Sequence, residues 1–280
     1  MPKYEVVYDP EMAPKDLKHV IYEKKGHIAY VTLNRPEVSN AMHTYLYMEL
    51  RSIWRDISVD PNIYVGIVTG AGKVFSAGRD VKFLGEFQKQ GKRTPHEDPT
   101  SPLYQWGGGG FPNDLMKPLI AALNGYAVGV AMGLVFQCQL RVMAEDAWLG
   151  DLHTNIGRVG NPQNYYLAMP RAVAAYMTLC NGRLTAQECL QYGIVNKVVP
   201  REKLMETAEE MANMVCRSSP LAVQAAVQLY KLAAQTDPSL AELARIFDKM
   251  AGESDDCVEG VKAINEKRRP VWKSQWPWPR

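Results

Sequence analysis

Cysteine is scarce in this chain: five in 280 residues, and no two of Cys138, Cys180, Cys189, Cys216 and Cys257 stand in C-x-x-C spacing. Neither a disulfide framework nor a zinc knuckle follows from an odd set so spaced, and a cytoplasmic, reducing location is the expectation. Charge of one sign is also lacking, since 32 Lys and Arg stand against 30 Asp and Glu for a net +2. That balance gives no global electrostatic case for nucleic acid as a partner. The opening MPKYEVVYDPEM has no apolar stretch of the secretory type. No G-x-G-x-x-G, P-loop or metal-ligand spacing occurs, so the motifs imply neither a redox cofactor nor a metal. The four glycines at 107–110 are no phosphate loop, because no G-K-[ST] follows them. Long apolar runs are equally rare. The one of membrane-span length, residues 119–136 (LIAALNGYAVGVAMGLVF), is cut by the turn signal Asn124-Gly125. It reads as a buried strand, a turn and a closely packed helix, and no membrane partner is expected.

What is present is a balanced chain, 46% hydrophobic and 22% charged, long enough for one large core or a core with an appendage. Residues 19–23 and 27–33 flank Lys24-Lys25-Gly26 as a hairpin, with apolar alternation at Ile28 and Tyr30. Leu46, Leu50, Ile53, Trp54 and Ile57 repeat with helical spacing over 44–57. A β-rich run at 63–68 ends in Thr69-Gly70-Ala71-Gly72, and a second strand is expected near 141–144. Residues 85–113 are polar and rich in Gly and Pro, which suits a mobile loop or lid. Thr185-Ala-Gln-Glu188 is a capping box opening a helix that Gly193 ends. Beyond Pro200 only amphipathic helices follow, at 203–215, 221–233 and 239–250. The expectation is an α/β core over 1–200 and a helical oligomerisation region over 201–280.

Four passages carry a resemblance: LNRPEVSNAM at 33–42, FSAGRDVKFL at 75–84, KPLIAALNGYAVGVAMG at 117–133 and EGVKAINEKRRP at 259–270. Together, in this order and spacing, they resemble the crotonase (enoyl-CoA hydratase/isomerase) superfamily. The resemblance implies a spiral of ββα units with a helical C-terminal trimerisation region, assembled as a homotrimer or homohexamer. It implies an acyl-CoA thioester as substrate, with coenzyme A as part of that substrate and no other cofactor. The physical reading runs beside it. Ser76-Ala77-Gly78-Arg79-Asp80 is a small-residue turn between a strand and a helix, where free backbone N–H groups and the helix dipole favour developing negative charge. The Gly129-Val130 step does the same at a second helix. In the family pattern the oxyanion donors are the backbone N–H groups of Arg79 and Val130, and such a pair is often the largest catalytic contribution. The alternative is that these glycines merely permit tight turns. Arg35, Lys82 and Lys267 are the basic residues that the pattern places near the CoA phosphates, and Ala77, Gly78, Asp80 and Gly129 line the turns beside them.

The sequence also departs from the family. The position of the first catalytic glutamate, three residues after the second oxyanion donor, is Gly133. The second falls on His153 within Leu149-Gly150-Asp151-Leu152-His153-Thr154-Asn155-Ile156-Gly157. With both glutamates missing, a histidine remains as acid or base, with Asp151 to orient it and Asn161 to hold a water or a substrate oxygen. A structural His153 is the competing reading. His43 reads as a helix cap, and Tyr165 and Tyr166 as half-buried packing. The reaction expected first is that of a lyase or hydratase on an enoyl or cyclic acyl-CoA. Hydrolytic C–C cleavage of a cyclic β-oxo acyl-CoA, isomerisation and decarboxylation share the same enolate. A catalytically silent acyl-CoA-binding protein is the reading from another class.

Overall fold

The computed structural model describes residues 14–98, 100–101, 110–160, 162–233, 246, 249 and 251–271. Strands β1 (Val20–Lys25) and β2 (Ile28–Leu33) form an antiparallel hairpin in which Lys25 faces Ile28 across the turn. From β2 the chain crosses through helix α1 (Thr44–Val59) to β3 (Val65–Gly70), which runs parallel to β2. Parallel additions of β4 (Leu119–Leu123), β6 (Leu140–Ala144) and β9 (Lys197–Val199) complete a six-stranded sheet of order β1-β2-β3-β4-β6-β9. A second sheet combines β5 (Ala127–Val128), β7 (Trp148–Gly150) and β8 (Arg183–Thr185). Strands and helices alternate as expected for a mixed α/β fold.

Both faces of the larger sheet are covered, as a mostly parallel sheet requires. Val31, Leu33, Val68, Ala121 and Leu123 meet Leu46, Leu50, Ile53 and Ile57 of α1 in one buried cluster. On the other face Ile28, Val65, Ile67, Ile120 and Val142 pack on helix α7 (Leu204–Cys216) through Leu204, Ala208 and Met211. Each large apolar side chain fully buried this way contributes about 1.5–3 kcal/mol. Two expectations change here. Strand β2 is not half-solvated, because Ala29 and Val31 are fully buried while Ile28 and Tyr30 pack on the opposite face. Leu204 and Met211, within the region expected to carry oligomerisation, lie beneath the sheet of their own chain. Residues just past 200 are therefore part of the core's second layer.

The apolar run of 119–136 becomes β4, the turn at Asn124, β5 and helix α3 (Val130–Gln137). No helix among the described residues is long and apolar enough to cross a membrane. The polar stretch from 85 is less loose than its composition suggests. Helix α2 (Val81–Lys89) runs into it, and Thr94 and His96 are buried, the His96 ring meeting the Thr44 hydroxyl at 2.8 Å. Helices α4 (Pro162–Ala168), α5 (Arg171–Leu179) and α6 (Ala186–Gln191) follow, α6 with the expected capping box between Thr185 and Glu188. After α8 (Pro220–Ala233), most of the helix expected over 239–250 lies outside the described residues. Helix α9 (Asp255–Asn265) returns to α2 and to the 3-10 turn His153–Ile156. It sits so close that a Cβ on Gly260 would be 2.6 Å from the Ile156 Cα.

Candidate active site

The turn after Phe75 is held by a parallel bridge between Met42 and Arg79. Met42 N donates to Gly78 O at 2.7 Å, and Asp80 N donates to Met42 O at 2.9 Å. In such a bridge the middle residue points its own N–H the other way, and Arg79 N has no acceptor among the described residues. Gly129 caps α3, its own N–H donating to Gly150 O at 3.0 Å. Val130 is therefore the first residue of the helix, where the backbone N–H has no intrahelical partner. The two turns touch: a Cβ on Gly78 would overlap the Val128 carbonyl oxygen and lie 3.4 Å from Val130 N. Two unpaired donors thus stand side by side, one at a helix N-terminus, which is the arrangement that stabilises an oxyanion.

His153 closes this site. A Cβ on Gly129 would lie 3.8 Å from the His153 Cε1, which puts the imidazole beside the Val130 donor. Asp151 Oδ1 receives the His153 backbone N–H at 2.9 Å and contacts the ring Nδ1 at 2.6 Å. A carboxylate only accepts, so Nδ1 carries the hydrogen, and in the neutral ring Nε2 keeps its lone pair. Asp151 itself is buried, and its Oδ2 accepts no hydrogen bond among the described residues. Tyr165 is buried too; burial first and then the Asp151 carboxylate push its hydroxyl well above the usual range. That keeps the phenol protonated beside Asp151. The adjacent Tyr166 is exposed, so only one tyrosine of the pair belongs to the site, a distinction that the sequence pattern does not carry.

Two cavities meet at Gly129, Val130 and His153. One, of ≈ 430 Å³, is lined by Ala77, Arg79, Asp80, Lys82 and, from α9, Ile264. The other, of ≈ 910 Å³, is lined by Phe111, Gly133, Phe136 and Tyr165. Gly133, where a glutamate was the family expectation, is covered by a ring: a Cβ there would be 3.1 Å from Phe111 Cζ. Among the described residues no three His, Cys, Asp or Glu side chains gather to hold a metal ion.

The remaining expected residues divide. Lys82 is exposed on the rim of the smaller cavity. Arg35 is engaged inside the protein, its guanidinium 2.9 Å from Asp80 and 2.5 Å from Ala41 O. Asp80 in turn caps α2 by accepting from Phe83 N at 3.1 Å, so this pair shapes the turn and Arg35 does not line the cavity. Lys267 is exposed just after α9 and lines neither cavity. Asn161 lies outside the described residues. His43 caps α1 by accepting from Leu46 N at 3.2 Å. Burial and then Arg35 hold its pKa down to about 4, so it stays neutral.

One supporting contact had no sequence signal at all. The Arg79 side chain turns away from the turn and pairs with Glu97 at 2.7 Å, with the Thr94 hydroxyl donating to the same carboxylate at 2.5 Å. Burial alone would raise the Glu97 carboxyl, but Arg79, Thr94 and Arg158 outweigh it and hold the pKa near about 2. A depressed carboxyl stabilises the fold above its unfolded pKa and loses that contribution as pH falls through the folded value. Glu97→Gln is expected to lower stability at neutral pH by roughly 1 kcal/mol after solvent screening. In thermal melts its deficit against the parent should shrink steadily as pH falls from about 5 toward about 2; a deficit independent of pH would mean that the pair is not its source.

A second prediction concerns the room for the imidazole. Gly160 has φ +69, and a Cβ there would lie 2.6 Å from His153 Nδ1. Gly160→Ala is expected to push the ring off Asp151 and cost about 10-fold or more in turnover, since misplacing a catalytic group by about 1 Å is that expensive. Equal turnover by a folded Gly160→Ala protein would show that the ring position does not matter.

Comparison with known proteins identifies the family. The family model described as enoyl-CoA hydratase/isomerase matches residues 23–275. The (E)-benzylidenesuccinyl-CoA hydratase of Thauera aromatica is 33% identical over 261 residues, covering 91% of this chain and 98% of that protein. A carnitinyl-CoA dehydratase of Citrobacter koseri is 33% identical over 270 residues, with 91% and 98% covered. Among solved structures, a carnitinyl-CoA hydratase from Mycobacterium avium superposes with a TM-score of 0.78 at 27% identity, covering 92% of this chain and 99% of that one. With its fold and nearly its whole length matched, the chain belongs to the enoyl-CoA hydratase/isomerase family.

Proposed function

We propose that the protein is an acyl-CoA hydratase or dehydratase, a lyase, in which His153 moves the proton. The observation that carries this is the junction of two cavities at one imidazole and two free backbone N–H groups. The thioester oxygen sits between Arg79 N–H and Val130 N–H. The CoA portion leaves through the smaller cavity past Lys82, and the acyl portion extends into the larger one. In the hydration direction Nε2 takes a proton from water as its oxygen bonds to the β-carbon. The electron pair moves through the α-carbon into the carbonyl, and the two N–H groups hold the resulting enolate. The imidazolium, kept in place by Asp151, then delivers that same proton to the α-carbon. One group shuttles one proton, so the absence of both glutamates does not block addition or loss of water. The named relatives, a benzylidenesuccinyl-CoA hydratase and carnitinyl-CoA dehydratases, support water chemistry at a CoA thioester.

The test is a panel of enoyl-, cyclic β-oxo- and malonyl-type CoA thioesters followed by mass spectrometry. Gain of one water on an enoyl thioester supports the proposal. Loss of carbon dioxide, ring opening of the β-oxo substrate or an unchanged mass with a shifted double bond points to decarboxylase, hydrolase or isomerase instead. Tight binding with no turnover of any member assigns a silent acyl-CoA-binding protein. A homotrimer or homohexamer is proposed on the apolar side chains left open on α5 and α8, among them Leu179 (74% exposed) and Leu221 (80% exposed). Light scattering at micromolar concentration should give three or six chain masses, and a monodisperse monomer would end this assignment.

A further inference from the structure

Resting on that reading of the two cavities, we propose that the acyl group carries its own anion, a carboxylate remote from the thioester, which Arg141 receives. The larger cavity runs from Gly129, Val130 and His153 along α3 to Gln137, Gln139 and Arg141. Eight residues of helix separate its two ends, about 12 Å at the usual rise. Among the described residues its lining includes Arg141 and Lys231 but no Asp or Glu.

The two cations are not equivalent. Lys231 Nζ donates to Pro112 O, Asn113 O and Leu115 O at 2.9, 2.9 and 2.6 Å. All three ammonium hydrogens are engaged, so Lys231 ties α8 to the 112–115 turn. Arg141 donates through Nε to Val135 O at 3.1 Å and through one terminal nitrogen to Ile194 O at 3.0 Å. Its second terminal nitrogen makes no hydrogen bond, and no carboxylate lies within ion-pair distance among the described residues. The guanidinium carbon stacks 5.2 Å from the Phe136 ring centroid. The Val135 carbonyl at the end of α3, the Ile194 carbonyl after α6 and the aromatic face explain how the group is held and aimed. They do not neutralise it. A largely desolvated cation without a counter-ion is costly, and burial lowers the Arg141 pKa accordingly. A substrate carboxylate supplies the missing charge, and a guanidinium edge matches its planar geometry better than an ammonium does.

The experiment measures binding of saturated acyl-CoA thioesters, which cannot be hydrated, in pairs of equal chain length that end either in a methyl group or in a carboxylate. At one length the carboxylate member should bind the parent protein about 10- to 100-fold tighter, the lower end of the range for a desolvated hydrogen-bonded charge pair. In Arg141→Gln the ratio within that pair should fall to near one, and Arg141→Lys should keep only part of it. Equal affinities within every pair on the parent protein overturn the proposal while leaving the acyl-CoA reading intact. Failure of both series to bind overturns that reading and this inference together. Should Arg141→Gln not fold, the parent protein's own ratio still decides.

Discussion

His153→Ala is expected to lower turnover of the productive thioester by roughly 10²–10⁴-fold while its affinity for a saturated acyl-CoA changes little. The first half follows from the ring's place beside Val130, with Nδ1 on Asp151 and Nε2 directed by that bond toward the substrate. The second half follows because the thioester oxygen is held by backbone groups that the substitution leaves alone. Asp151→Asn tests the orientation separately. An amide can donate to Nδ1, which moves the ring hydrogen to Nε2 and removes the base without removing the ring. Its kcat should therefore fall with little change in saturated acyl-CoA affinity. A purely structural His153–Asp151 pair predicts something else: lower melting temperatures and activity reduced only in proportion to unfolded protein. A stable His153→Ala enzyme with near-normal turnover would transfer the proton step to another group.

The elements that follow periodicity were readable in the sequence, and those that depend on distant partners were not. Helix α1 and the first hairpin come directly from local apolar spacing, and the capping box at Thr185 marks the start of α6. The glycine turns at 78 and 129 were legible as turns, but their adjacency is a tertiary fact, made by Gly78 lying against Val128. Asp151 and His153 are two residues apart, so their contact could be anticipated. Tyr165 meets Asp151 only through the tertiary fold, and nothing in the pair Tyr165-Tyr166 tells which ring turns inward. Arg35 shows the opposite failure. As a basic residue in the first motif it reads as a phosphate ligand, whereas its geometry makes it the partner of Asp80. The expected oligomerisation region from 201 puts α7 outside the core, whereas its apolar face lies under the sheet; a helix pattern says that one face must be covered, not by what.

Gly78→Val should be the most damaging single change at the oxyanion turn, with turnover reduced by at least about 10²–10³-fold. Gly78 has φ +79, a region that a β-branched residue all but never occupies. Its new Cβ would overlap the Val128 carbonyl oxygen, 3.3 Å from the Val128 carbonyl carbon and 3.4 Å from Val130 N. Relief requires moving residue 78, which displaces the Arg79 donor, or moving 128–130, which displaces the other. Either way the two N–H groups no longer converge on one oxygen, and removal of a single such donor costs about 3 kcal/mol in the transition state. The backbone strain adds about 1–3 kcal/mol to the destabilisation of the fold, so melts must accompany the kinetics and rates must be expressed per folded molecule. Gly78→Ala, with the same Cβ but no branch, should fall between the parent and Gly78→Val. Arg79→Ala should be milder than either, because its proposed donor is backbone and the lost side chain loosens only the tie to Glu97. A folded Gly78→Val protein that turns over its substrate at the parent rate would place the thioester oxygen somewhere other than between these two turns.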